Sequence, residues 1–163
     1  MADFGQFLRN ARSKGILIDT NLLVLLVVGY VDRKRIPSFK RTSHYTPEDW
    51  DALTGVLEHV PRRYSIAHIL AEASTLTDMK GQELEEARAM LHDAISHMDE
   101  LPFASLEACQ SAYYRRLGLT DAAIVLVAKR QGCSVMTNDY GLYLALLQEG
   151  LSAIHFDDLH KLL

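Results

Sequence analysis

Residues 15–30 read GILIDTNLLVLLVVGY, and a single carboxylate, Asp19, separates a short apolar segment from a long one. Residues 16–18 have the length and composition of a short buried strand, and residues 22–30 are apolar on nearly every side of a helix. A strand that leads directly into a buried helix is typical of a β-α-β unit. The stretch therefore predicts an α/β fold with an acidic group where the first strand becomes a helix.

The rest of the chain alternates between short apolar segments and longer segments with helical spacing. Thr46 is a typical helix cap, and Pro47 lies in the first turn that it begins. We expect strands at 64–66, 133–137 and 152–156, and helices at 46–59, 67–76, 82–98, 105–117, 120–131 and 139–148. For the helix at 105–117 we expect Ser105 to be the cap. Strands that alternate with helices of this length predict a parallel sheet covered on both faces.

The predicted fold is thus a three-layer α/β/α sandwich with a central, mostly parallel, twisted sheet. With 163 residues, of which 48% are hydrophobic, we expect a single domain over 1–163, with residues 1–14 as a helical or flexible extension. The apolar run at 16–31 is too short to span a membrane and contains Asp19. Two cysteines, Cys109 and Cys133, lack the spacing of a zinc site or disulfide framework, and a cytoplasmic location is the simplest expectation.

Four carboxylates are the candidate functional groups. Ligands of open parallel sheets bind outside the carboxyl ends of the strands, where the chain turns into helices. Asp19 directly follows the first strand, and Asp139 lies two residues beyond the strand at 133–137. Asp121 lies in the first turn of a buried helix, and Glu72 has apolar residues one turn before and after it, so we expect its face to be partly core. The four side chains are predicted to converge.

Each acid also has a purely structural interpretation. Asp19, Asp121 and Asp139 suit helix N-termini, and Glu72 would by default be an exposed helical residue. If the four converge, each pair at about 4 Å repels by about 4 kcal/mol at an effective dielectric of 20. A helix N-terminus offsets only about 0.3–1 kcal/mol, whereas a divalent cation offsets much more, and an all-oxygen site suits Mg²⁺ or Mn²⁺.

These segments resemble the PIN domain, the metal-dependent ribonuclease fold of VapC-type bacterial and archaeal toxins. The resemblance covers the chain from about residue 15 and rests on ILIDTNLL at 16–23, AHILAEASTL at 67–76, LGLTDAAIVLVAKRQGCSVMTNDYGL at 117–142 and a closing strand at 153–156. The interval between Asp19 and Glu72 is longer than in the smallest toxins. This difference affects the expected substrate more than the expected chemistry.

The resemblance implies a Mg²⁺- or Mn²⁺-dependent endoribonuclease that is the toxin of a toxin–antitoxin pair. It makes Asp19, Glu72, Asp121 and Asp139 the catalytic, metal-binding acids, and it makes Asn21, Thr137 and Asn138 their polar neighbours. In this mechanism the ions lower the pKa of the attacking water and stabilise the departing oxygen of the phosphodiester. By analogy we also expect a homodimer and an antitoxin partner. Substitution of Asp19 or Asp121 by Asn is expected to abolish cleavage and to leave the fold at least as stable.

A basic segment is the best local candidate for RNA contacts. It contains Arg33, Lys34, Arg35, Lys40 and Arg41, with Phe39 and Tyr45 available for stacking. Alternatively, the segment only solubilises the end of a buried helix. The net charge of −4 argues against broad electrostatic binding of nucleic acid but does not exclude a local patch.

His68 lies one turn before Glu72, which would suit an imidazole beside the metal or an ordinary hydrogen-bonded histidine.

Three other functions also compete with a ribonuclease. A structure-specific DNA nuclease would use the same acids, and a catalytically silent PIN-like scaffold would bind without cutting. A phosphoacceptor receiver domain would need adjacent acids after the first strand and a lysine after the last, and this chain has neither.

Overall fold

Five short parallel strands form the centre of the protein. The computed structural model describes residues 3–161, with side chains to residue 159, and every statement below concerns these residues. The strands are β1 Ile16–Ile18, β2 Arg63–Ser65, β3 Asp99–Glu100, β4 Ser134–Thr137 and β5 Ala153–His155. The α-helices are α1 Phe4–Lys14, α2 Thr20–Val31, α3 Pro47–Glu58, α4 Ala67–Leu76, α5 Gly81–Ser96, α6 Ser105–Gln110, α7 Tyr114–Leu117, α8 Leu119–Gln131 and α9 Tyr140–Gln148. Short 3₁₀ helices occupy Arg33–Ser38 and Phe156–Lys161.

The strand order is β3-β2-β1-β4-β5, and every neighbouring pair is parallel. Leu17 of β1 lies between Tyr64 of β2 and Val135 of β4. Because parallel crossovers are right-handed, connections that lead towards β3 and those that lead towards β5 cover opposite faces. Accordingly α2 packs with α3, α4 and α5, and α8 packs with α6, α7 and α9. The predicted three-layer α/β/α sandwich is confirmed, and its sheet is entirely parallel.

The core extends from the middle of the sheet into α2. All residues of β1 and β4 are buried, and so is α2 from Leu22 to Gly29, which explains why both segments are apolar on all sides. The predicted Thr46 cap is confirmed as a reciprocal capping box with Asp49. Within residues 3–161, no helix has the length and apolar character needed to cross a membrane.

Two elements differ from the sequence-based prediction. The edge strand β3 was not predicted, because it consists of two exposed acidic residues that pair only with Tyr64 and Ser65. The single helix expected at 105–117 is wrong: α6 and α7 are separate, and Ser105 does not cap α6. The break lies at Ser111, whose backbone is extended and whose hydroxyl donates to the carbonyl of Ala108 at 2.7 Å.

The N-terminal extension is helical from Phe4, while residues 1 and 2 lie outside the described part. Its helix α1 packs against β4 and β5. Phe4 and Leu8 line a cleft together with Ala52 and Val56 of α3, so α1 is part of the same helical layer as α3.

The basic segment after α2 also has regular structure, because its first six residues form the 3₁₀ helix Arg33–Ser38.

Substitution of Gly29 by Ala tests the packing of α2 against α3. An added Cβ would lie 2.1 Å from Cδ1 of Trp50, whose indole N–H donates to the carbonyl of Leu26 at 3.0 Å. We expect a loss of about 1–3 kcal/mol in the free energy of unfolding, measured by urea denaturation, because the ring must move. Gly55→Ala is the matched control, since no described atom lies within 4 Å of its added Cβ, and it should stabilise α3 by about 0.5–1 kcal/mol. Equal stabilities for the two variants would contradict this packing.

Candidate metal centre

A cleft of about 260 Å³ opens at the carboxyl edge of the sheet, and all four predicted acids line it. The chain order reverses between β1 and β4, and ligands of open α/β sheets bind at such a switch point. Its lining residues come from α2, α4, α8, the segment before α8 and the turn after β4. They are Asp19, Thr20, Asn21, Glu72, Leu76, Leu117, Gly118, Leu119, Thr120, Asp121 and Asp139.

Asp19 is the most constrained of the four acids, with 3% of its surface exposed. One carboxylate oxygen accepts from the amide of Leu22 at 2.9 Å and so caps α2. The other accepts from the hydroxyl of Thr137 and from the amide of Asn138 at 2.9 Å. Burial raises the pKa of Asp19, and these donors oppose the rise. The capping role and the place in the cleft therefore coexist in one side chain.

Glu72 joins three helices through two threonines. Its side chain is exposed, which corrects the expectation of a partly core face. One carboxylate oxygen accepts from the hydroxyl of Thr20 at 2.9 Å, and the other accepts from the hydroxyl of Thr120 at 2.6 Å. Thr20 follows Asp19 in the sequence and Thr120 precedes Asp121. Glu72 thus holds the starts of α2 and α8 close to its own helix.

Asp121 lies in the first turn of α8 and is half-buried. Its carboxylate accepts no hydrogen bond within the described residues. Burial, followed by the negative charges of Asp139, Asp19 and Glu72, raises the pKa of Asp121 to about 7. Asp139, Asp19 and Glu72 are therefore close enough to oppose the ionisation of Asp121.

Asp139 is an exposed residue that caps α9 by accepting from the amide of Leu142 at 2.7 Å.

Among the polar neighbours, Asn21 is exposed and lines the cleft, whereas Thr137 is fully buried behind Asp19. Asn138 contributes its backbone amide to Asp19 and donates its side-chain amide to the hydroxyl of Tyr45 at 3.0 Å. Asn21 alone of these three predicted neighbours reaches the cleft surface.

The residues of the cleft suit a hard divalent cation. Their donors are carboxylate, hydroxyl and amide oxygens, which are the ligands that Mg²⁺ and Mn²⁺ prefer, and no basic residue is part of the described lining. Burial first, and then the negative charges of the other three acids, raise the pKa of Asp121. As placed, no three His, Cys, Asp or Glu side chains among the described residues are arranged to hold an ion. Among the described residues, Asp121 accepts no hydrogen bond and Asp139 accepts one, so these two acids are the ones whose oxygens could turn towards an ion with the least rearrangement.

The predicted basic residues do not line the cleft. Arg33 forms an ion pair with Asp51, and Arg35 forms one with Glu83 at 2.9 Å. They follow the far end of α2, about 18 Å from its start at the cleft. Lys34, Lys40 and Arg41 are exposed on the same segment. The structure thus places the start of the basic segment one helix length away from the acids.

His68 also lies outside the cleft lining. Its Nε2 is 2.8 Å from the hydroxyl of Ser105, and its ring packs against Phe103. The interpretation as a hydrogen-bonded histidine is therefore confirmed.

Sequence reasoning missed Thr120 and did not assign Thr20 its partner. A signal was present, because a threonine lies next to or two residues before three of the acids, in DT at 19–20, TD at 120–121 and TND at 137–139. Short hydroxyl side chains beside carboxylates are suited to donate to an acid from another element. The sequence contains this pattern, but it does not tell which carboxylate each hydroxyl reaches.

Comparison of the chain with protein-family models, with curated proteins and with solved structures gives no match. The function is therefore argued from the cleft itself.

Asp121→Asn should stabilise the metal-free protein at high pH and not at low pH. The folded protein binds the Asp121 proton more tightly than the unfolded chain, so its free energy of unfolding falls as the pH rises from about 4 to about 7. The variant lacks this loss, so its advantage in the free energy of unfolding should be less than about 1 kcal/mol at pH 4 and about 4 kcal/mol above pH 8. Urea denaturation in EDTA measures it, with Glu85→Gln on α5 as the control. Parallel pH profiles for wild type and Asp121→Asn would contradict the proposed repulsion.

Asp19→Asn should destabilise the protein, contrary to the expectation from sequence alone. In either orientation of the new amide its nitrogen would face an N–H group, that of Leu22 or that of Asn138, and leave this donor without its acceptor. We expect a loss of about 1–3 kcal/mol in the free energy of unfolding at pH 7. Urea denaturation of Asp19→Asn beside Asp121→Asn measures the difference, and equal or greater stability of Asp19→Asn would refute the role assigned to this carboxylate.

Proposed function

We propose that the protein is a Mg²⁺- or Mn²⁺-dependent endoribonuclease of the PIN-domain type. The observation that carries this proposal is the meeting of Asp19, Glu72, Asp121 and Asp139, from four separate parts of the chain, in one cleft at the switch point of the sheet. The sequence resemblance described above supports the same four acids. Four other clefts of the described protein, compared with this one, contain at most two carboxylates each.

The electrostatics favour an active metal site over a silent scaffold. Burial and like charge both oppose the ionisation of Asp121 and raise its pKa, so keeping four carboxylates in this cleft costs stability. A protein that only bound a partner would gain nothing from keeping four carboxylates together. A divalent cation turns the same arrangement into a favourable one, because each carboxylate then faces positive charge.

The residues of the chain have separable roles in this mechanism. When bound, the cation neutralises phosphate charge and lowers the pKa of the attacking water. Asp19 is held rigidly by α2 and by the turn after β4, whereas Asp121 has free oxygens that face the cleft. Glu72, on α4, holds the starts of α2 and α8 close to its own helix by accepting hydrogen bonds from Thr20 and Thr120. Asn21, exposed at the rim, offers an amide donor to a phosphate oxygen.

RNA as the substrate, the toxin role, an antitoxin partner and a homodimer are proposed from the resemblance. A cytoplasmic location is proposed as well, in keeping with two free cysteines, Cys109 exposed and Cys133 buried. Measurement of the native mass tests the homodimer, and co-purification with the product of the adjacent gene tests the antitoxin.

Asp121→Asn should abolish the proposed cleavage. We expect the wild type to cut single-stranded RNA with Mn²⁺ or Mg²⁺ and to lose activity in EDTA, and we expect the variant to lose at least about 100-fold in kcat/KM. Cleavage of labelled RNA oligonucleotides measures both, and Glu85→Gln, remote from the cleft, should match the wild type. A branched DNA incubated in parallel tests the DNA-nuclease alternative. Undiminished cleavage by folded Asp121→Asn would remove this residue from the mechanism, and cleavage of DNA alone would replace the proposed substrate.

A further inference from the structure

Three aromatic rings cluster beside the acidic cleft. Tyr140 and Tyr143 lie in the first turns of α9, and His155 ends β5. Their ring centroids are 6.1 Å apart for Tyr140 and Tyr143, 5.9 Å for Tyr140 and His155, and 5.8 Å for Tyr143 and His155. These distances are typical of tilted and edge-to-face aromatic pairs, so each ring supports the other two.

Tyr140 is the exposed member of this cluster. It is 63% exposed, whereas Tyr143 is 8% exposed and closes the cluster on the side of the core. Tyr140 directly follows Asp139, so the two Cα atoms are about 3.8 Å apart. Its ring is held by Tyr143 and His155 and remains open to solvent, and its backbone adjoins a residue that lines the cleft, although Tyr140 itself is not part of the described lining.

We propose that Tyr140 is a base-stacking residue, on which an unpaired nucleobase of the RNA stacks next to the phosphodiester held in the cleft. This inference rests on the proposed function. Aromatic side chains bind single strands by stacking with splayed bases, and this contact tolerates many base sequences. A base within a duplex is already stacked and paired, so the geometry favours RNA that is unpaired at the site of cleavage.

The location of Tyr140 favours a nucleobase over a protein partner. Leu144 and Leu147 are also partly exposed on α9, at 38% and 41%, and together with Tyr140 they could form a contact with a second copy of the chain. However, they lie about one and two helical turns further from Asp139. A phosphate held beside Asp139 brings its neighbouring nucleotides to Tyr140 first.

The first arm of the test measures cleavage of a single-stranded RNA oligonucleotide with Mn²⁺. Tyr140→Ala should lower kcat/KM by about 10-fold or more, mainly through a higher KM, because stacking contributes to binding. Tyr140→Phe should recover most of this loss, since its ring still stacks. Tyr30→Ala is the matched control, because Tyr30 has the same 63% exposure but lies at the far end of α2.

The second arm measures stacking without cleavage. Asp121→Asn protein with Mg²⁺ is mixed with RNA oligonucleotides that each carry one 2-aminopurine, with its position moved along the strand. Stacking on Tyr140 should quench the emission at one position, and the double variant that also carries Tyr140→Ala should lose this quenching. This arm does not require the wild type to cut RNA.

The two arms separate the two proposals. Absence of RNA cleavage by the wild type would overturn the proposed function, while the emission would still decide the role of Tyr140. Equal kcat/KM for Tyr140→Ala and wild type, or quenching that is absent or insensitive to Tyr140, would overturn the inference. If Tyr140→Ala has a lower native mass than the wild type, and the double variant quenches 2-aminopurine as Asp121→Asn does, the ring makes a contact between copies of the chain. This result would also overturn the inference.

Discussion

The buried carboxylate of Asp19 joins the two central strands at the edge where the cleft opens. It caps α2 after β1, and it also accepts the hydroxyl of Thr137, 118 residues later at the end of β4. A carboxylate with 3% exposure is tolerated there because fixed donors surround both of its oxygens. This group therefore fixes the start of α2, whose Thr20 donates to Glu72, and the turn that precedes Asp139.

The remaining acids are held by weaker and more exposed contacts. Glu72 is tied by two threonine hydroxyls, and Asp139 by one amide of its own helix. Asp121 has no such hydrogen bond among the described residues, and burial, followed by the charges of the other carboxylates, raises its pKa. The cleft therefore combines one rigid, buried acid with three that are less buried, of which Asp121 accepts no hydrogen bond among the described residues. Such an arrangement costs stability in the absence of a counter-ion.

The parts of the fold with strong local signals were predictable. Three parts of the chain have apolar residues at helical or strand spacing and a helix-capping residue within a few positions of each other. They are the transition from β1 to α2, the start of α3 at Thr46 and the transition from β4 to α9. The signals fail for strand β3, which is acidic and exposed and exists because β2, distant in the sequence, offers it an edge. They also fail at the break before α7, where a local hydrogen bond from the Ser111 hydroxyl is not recorded in the helical spacing of 105–117.

For the cleft, the sequence alone specified that Asp19 and Asp139 lie at the carboxyl ends of strands, because in a parallel sheet these ends all meet at one edge. Only the tertiary structure decided that β1 and β4 are neighbours, and that Thr20 and Thr120 connect Glu72 to both adjacent helices. It also separated the start of the basic segment from the acids by the length of α2. These outcomes depend on strand order and helix packing, which bring together residues from distant parts of the chain, and no local pattern records such contacts.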